Sequence, residues 1–147
     1  MDTATNRFIH GTDQQSIIAR TMNREGGYVW DPDDHGGETN WGVTIKTARN
    51  FGYHGPMKSM PRQVAEGIYR AMWHQAGTDA VPEHLRSQYF DTVINSGPKR
   101  AQQLLISSNG DAKLFRQNRV QFLRRIAERD PSQRKFLRGW LNRTMEA

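Results

Sequence analysis

The sequence predicts a mainly α-helical fold, one compact unit interrupted after its first helix by an irregular loop or short hairpin. Three observations carry that expectation. Apolar residues recur at three- and four-residue intervals through most of the chain after Thr12. Those stretches begin and end at residues that cap helices. One stretch departs from the pattern: Glu25 to Thr44 holds five glycines, five acids and three aromatics. A chain of 147 residues buries one real core and is too short for two ordinary domains.

The first helix is expected from Thr12, which has capping-box spacing to Gln15, through Ile17, Ile18, Thr21, Met22 and Glu25. Glu25 follows Ile18 by seven residues, so it falls on the apolar stripe. Gly26-Gly27 ends the helix. From Tyr28 to Trp41 the Asp-Pro, Gly-Gly and Asn residues are turn chemistry, which leaves irregular loop and short hairpin both open. Thr44 suits the N-cap of a short helix through Phe51, closed by Gly52. Pro61 opens a strongly amphipathic helix with Val64, Ile68, Tyr69, Met72 and Trp73, ending before Gly77. Another runs from about Pro82 with Leu85, Tyr89, Phe90 and Val93 inward, and stops at Asn95-Ser96-Gly97-Pro98. Arg100 to Ile106 forms a short helix, and a longer one follows to Arg129 with Phe115, Phe122, Leu123 and Ile126 as its stripe. Asp130 caps a last helix, with Pro131 at its first position and Phe136, Leu137, Trp140 and Leu141 on one face. The organisation expected is an N-terminal extension over 1–12, a core over 13–97 and a basic helical region over 98–147, packed together as a monomer.

Composition excludes several chemistries. There is no cysteine, so disulfides, thiolate metal sites and a cysteine nucleophile are absent. Met1 to Asp13 has no apolar run of the signal-peptide kind, so synthesis in the cytoplasm without a signal peptide is expected. The net charge of +6 is unevenly placed: Leu114 to Arg143 holds nine Lys/Arg against Glu128 and Asp130, and the remainder is close to neutral. A polyanionic partner is therefore expected at the C-terminal segment, an anionic envelope surface or nucleic acid. No base-reading module accompanies the charge, so nucleic acid ranks last.

The residue that stands out chemically is Glu25. A carboxyl on an apolar face is partly desolvated, which disfavours its charged form, and the negative end of the helix dipole acts in the same direction. A carboxyl kept protonated is what a general acid requires. The glycine-rich loop offers a second carboxylate in a polar setting, and two carboxyl groups in unlike surroundings are what glycoside hydrolysis needs. Asp31, Asp33, Asp34 and Glu38 are all candidates, and spacing does not choose among them. Against this stands the plainer reading that Glu25 turns to water as the helix frays and the aspartates cap turns. A calcium loop is a poor fit, because its twelfth position, where a bidentate Glu is needed, is Gly42. His10, His35, His54, His74 and His84 show no ligand spacing, so neither metal nor cofactor is expected. Tyr28, Trp41 and Asn95 are candidates for holding a sugar, through aromatic faces and a side-chain amide. Packing is the alternative for all three, and Tyr69 and Trp73 sit at core spacing.

The run Glu25-Gly26-Gly27-Tyr28-Val29, with Asp31-Pro32, Asp34, Gly36-Gly37, Thr39-Asn40 and Gly42-Val43-Thr44, resembles the signature of glycoside hydrolase family 108. That family comprises phage endolysins and secretion-associated N-acetylmuramidases. The resemblance continues through Ala65-Glu66-Gly67-Ile68-Tyr69-Arg70 and Phe90 to Pro98. It ends in Phe136 to Arg143, similar to the close of a C-terminal region described there as peptidoglycan-binding. It implies a lysozyme-like helical fold and cleavage between N-acetylmuramic acid and N-acetylglucosamine, with Glu25 as the catalytic Glu. Similarity to the wider phage lysozymes suggests Asp34 and Thr39 as its partners. Two positions depart from those patterns: the spacing from Thr39 to Gly42 differs by one residue, and His35 stands where a Pro is common. The resemblance also implies action on the cell wall in the periplasm, after release from the cytoplasm.

The expected function is thus a peptidoglycan-degrading endolysin in which Glu25 protonates the glycosidic oxygen while Asp34 and Thr39 position water. Two rivals stand beside it. A lytic transglycosylase would use Glu25 alone. A non-catalytic cationic protein would lie on anionic outer membrane or lipopolysaccharide through residues 114–143.

Overall fold

A computed structural model describes residues 11–147. The expected extension over 1–12 lies almost wholly outside the described residues, as does His10. The chain is mainly α and lysozyme-like, with seven helices and one two-stranded sheet among the described residues. It divides into two compact units, the first through Gln75 and the second from Ala76 to Ala147.

In the first unit, helix α1 spans Gln14–Glu25 and buries Ile17, Ile18, Thr21 and Met22, the stripe read from the spacing. Its N-cap is Asp13 rather than Thr12: the Asp13 carboxylate accepts from the Ser16 N–H at 2.8 Å. An anionic cap satisfies the same orphan donor and also complements the positive helix end, so the cap moves one residue on. Gly26 stops the helix at φ 68, its N–H still bonded to the Met22 carbonyl.

The chain then loops to β1 (Thr39–Asn40) and β2 (Val43–Thr44), an antiparallel pair with Thr39 opposite Thr44 and Asn40 opposite Val43. Buried Asn40 donates from Nδ2 to the Met57 carbonyl at 2.8 Å and ties this hairpin to the 3-10 turn Met57–Ser59. Thr44 caps α2 (Ile45–Asn50), as its position suggests, by accepting from the Thr47 N–H at 3.1 Å. Helix α3 (Arg62–Gln75) packs against α1 and buries Ala65, Ile68, Tyr69, Met72 and Trp73.

The second unit holds α4 (Glu83–Ser96), α5 (Pro98–Ser108), α6 (Ala112–Arg129) and α7 (Arg134–Glu146). Val81, Leu85, Tyr89, Phe90, Val93, Leu104, Phe115 and Leu123 are its larger buried apolar residues. Phe122 is half-buried, and the Arg100 guanidinium covers its ring at 4.2 Å. Asp130 caps a 3-10 turn, Pro131–Gln133, rather than the last helix itself. Its carboxylate takes both the N–H and the hydroxyl of Ser132, at 3.2 and 2.7 Å, and so closes a tight turn before α7 begins.

Among this apolar surface lies a charged cluster. Asp91, 2% exposed, meets Arg119 at 2.7 Å and Arg143 at 2.9 Å, and Arg119 itself is 1% exposed. Two of the arginines that make the C-terminal segment basic are therefore tied to a buried carboxylate.

Candidate active site

Glu25 is the last residue of α1 and is half-buried. The element that meets it is the tip of the hairpin. Trp41 and Gly42 are the two residues between β1 and β2, and both have positive φ, 55 and 77. Positive φ at both central positions is the requirement of a type I′ turn, which matches the twist of the flanking strands. A Cβ on Gly42 would lie 2.6 Å from the Glu25 Cγ, 2.7 Å from its Cβ and 2.6 Å from the Tyr69 hydroxyl. Glycine at this position thus allows the turn to lie directly on the Glu25 side chain.

The other half of the turn is a bulky residue in the left-handed region, an unfavourable conformation for tryptophan. It is held there from three directions. Tyr69 donates its hydroxyl to the Trp41 carbonyl at 2.7 Å. The Trp41 indole donates Nε1–H to the Met60 carbonyl at 2.9 Å. The Arg62 guanidinium lies over the indole, 5.7 Å from its centre. Strain held by surrounding contacts is a feature that clusters at functional sites.

We expect Gly42→Ala to cost about 1–3 kcal/mol of stability from backbone conformation alone, and to displace Glu25 or Tyr69. Urea denaturation and cleavage rate together check this. Activity should fall further than the loss of folded protein accounts for.

The loop between Glu25 and the hairpin is anchored at several points. Val29 and Thr39 exchange backbone hydrogen bonds of 2.9 and 2.8 Å, an isolated antiparallel bridge. Thr39 also directs its hydroxyl to the Val29 carbonyl at 3.3 Å. Tyr28 donates to the Glu38 carboxylate at 2.6 Å, and the Lys58 ammonium sits 5.6 Å from its ring centre. The phenol is pushed above its ordinary pKa, first because its proton is shared with Glu38, then by desolvation and by the Glu38 charge. It therefore stays a donor at neutral pH.

Asp34 is half-buried in the preceding turn. Its carboxylate accepts from the Gly36 N–H at 2.8 Å and its carbonyl from Gly37 at 3.0 Å. Gly36 in turn lies against Thr44, where an added Cβ would meet the Thr44 methyl at 2.8 Å. Asp31 accepts from the Asp33 N–H at 2.9 Å, the turn-capping arrangement open to both from sequence.

The structure thus brings Glu25 against the Trp41-Gly42 turn and joins Tyr28, Glu38 and Thr39 across one bridge. Asp34 holds the adjoining turn. Asn95 belongs to the second unit, in the last turn of α4, where it accepts from the Ser96 hydroxyl at 3.1 Å. Three contributors escaped sequence reasoning. Gly42 entered only as the misfit position of a calcium loop and as part of the family signature, and Tyr69 only as core, where it is fully buried. Trp30 gave no periodic signal, yet it is 62% exposed beside the anchored Val29-Thr39 bridge.

The family model for glycosyl hydrolase 108 matches residues 18–97, more than half of the chain and the span that carries all of these contacts. The chain belongs to the glycosyl hydrolase 108 family. No protein of curated function matches it. The solved structure of Brucella abortus SagA is similar, with a TM-score of 0.75 and 24% identity over 90% of this chain and 89% of that one, a likeness of fold. This family 108 chain is a glycoside hydrolase, and the Glu25 site lies within the matched region.

Proposed function

We propose that this family 108 chain is an endolysin-type N-acetylmuramidase that hydrolyses peptidoglycan at the β-1,4 bond between N-acetylmuramic acid and N-acetylglucosamine. Glu25 protonates the leaving oxygen, and Asp34 with Thr39 positions water on the opposite face of the sugar, which gives inversion. Tyr28 and Trp41 hold the sugars, and the exposed Trp30 ring offers a further face for stacking on them. The protein works as a monomer on the cell wall in the periplasm. Residues 98–147 serve first as folded structure, and their exposed cations favour anionic envelope.

The observation that supports this reading best is the contact of Gly42 with Glu25. It couples half-buried Glu25, at the end of the apolar stripe of α1, to the hairpin that closes the polar, carboxylate-bearing loop. That arrangement supplies the two unlike environments that acid and base roles require.

Proton NMR of freshly cleaved glycan tests the stereochemistry. Inversion of the β-linkage releases the α-anomer of muramic acid first. Early appearance of the β-anomer would instead mean retention, and Asp34 would not be positioning water.

A further inference from the structure

The stretch Ala65 to Arg70 is only partly explained by the core. Ala65, Ile68 and Tyr69 are buried, but Glu66 and Arg70 are not. They face a cleft of about 420 Å³ within the first unit, between α1 and α3. Gln14 and Gln15 line it from the first turn of α1 and Met22 from the last full turn before Glu25. On the α3 side stand Arg62, Glu66 and Arg70, spaced four apart so that they form one ridge.

The charges of that ridge do not cancel. Arg62 pairs with Glu66 at 3.2 Å, while Arg70 is exposed and makes no ion pair among the described residues. Among the described residues the cleft therefore carries one guanidinium in excess of its carboxylate, with two side-chain amides opposite and an apolar floor from Ile18 and Met22. Such a lining suits a short anionic peptide: carboxylate for Arg70, backbone amides for the glutamines, aliphatic carbons for the floor. Both walls lead to the catalytic site. Met22 lies one turn before Glu25 on α1, and Arg62 also covers Trp41, whose turn neighbour Gly42 touches Glu25.

We infer that this cleft is a subsite for the peptide stem of peptidoglycan, with Arg70 receiving a stem carboxylate. The inference rests on the peptidoglycan reading of the site. The stem leaves muramic acid through the lactyl ether on the same sugar whose glycosidic bond is cut, so a stem site has to adjoin the catalytic carboxyl. Binding there would raise specificity for stem-bearing glycan, with the effect expressed mainly in KM.

The test compares intact glycan strands with strands stripped of stems by an amidase, using wild type, Arg70→Gln and Arg70→Lys. Wild type should favour stem-bearing strands by about tenfold in kcat/KM, the size of one charge-assisted hydrogen bond. Arg70→Gln should cut that preference to about twofold or less, through KM, and Arg70→Lys should keep part of it because the charge remains. Equal use of both substrates by wild type, or an unchanged preference in Arg70→Gln, would overturn the stem subsite alone. Products from neither substrate would overturn the peptidoglycan reading with it.

Discussion

Glu25→Gln is expected to lower glycan cleavage by about 10²–10⁴-fold, the range that removal of a general acid produces, while the fold stays as it was. The substitution keeps the volume of the side chain and therefore its contact with Gly42, where the Glu25 Cβ and Cγ lie. It removes the one thing a general acid must supply, a transferable proton. Release of reducing ends from purified peptidoglycan measures the rate, and near-ultraviolet circular dichroism checks packing. The contrast with Gly42→Ala separates two ways of disabling one site. One variant alters the chemistry and leaves the geometry, and the other alters the geometry that brings the hairpin to the acid.

Asp91→Ala is expected to destabilise the second unit by about 3–5 kcal/mol, the cost of leaving a buried charge without its partner. Arg119 is almost wholly enclosed, and Asp91 meets both it and Arg143. Removing the carboxylate leaves two guanidinium groups close together in a low-dielectric setting, where repulsion replaces attraction. Asp91→Asn should cost less, because the amide oxygen still accepts a hydrogen bond. Denaturant midpoints of the two variants give the comparison. A loss within the range of an exposed ion pair, below about 1 kcal/mol, would mean that the cluster is hydrated and contributes little.

This cluster bears on what the basic segment is for. From sequence, residues 114–143 suggested an envelope-binding face, but part of that segment is taken up by the fold itself. Phe115 and Leu123 are consumed by the core, and Arg119 and Arg143 by Asp91. The cations left for an outside partner are fewer than the composition suggests. Arg124, Arg125, Arg129, Arg134 and Arg138 remain exposed.

Helix positions were readable because each depends on residues a few places apart. The stripe Ile17, Ile18, Thr21, Met22 carries Glu25 on the same face, and Thr44 caps its helix as its type and place suggest. Where neighbouring residues compete for one role, the reading slips by a step. Asp13 takes the cap from Thr12, and Asp130 closes a turn before the last helix can start. Contacts between distant residues were not readable at all. Nothing local announces that Asp91 meets Arg143, 52 residues away. The hairpin tip is hidden for a different reason: tryptophan disfavours the left-handed region, so local preference argues against the turn that Tyr69, Met60 and Arg62 together impose. The place of Glu25 at the end of that stripe was legible from helical periodicity. The turn that completes its surroundings required the fold.

In the proposed mechanism a proton from Glu25 and a molecule of water cut the glycan strand. Mass spectrometry of the fragments released from purified peptidoglycan by wild type and by Glu25→Gln tests both halves of that step. Wild type should release fragments ending in reducing N-acetylmuramic acid, and the variant almost none. Fragments ending in 1,6-anhydro-muramic acid, or equal release by Glu25→Gln, would overturn the mechanism.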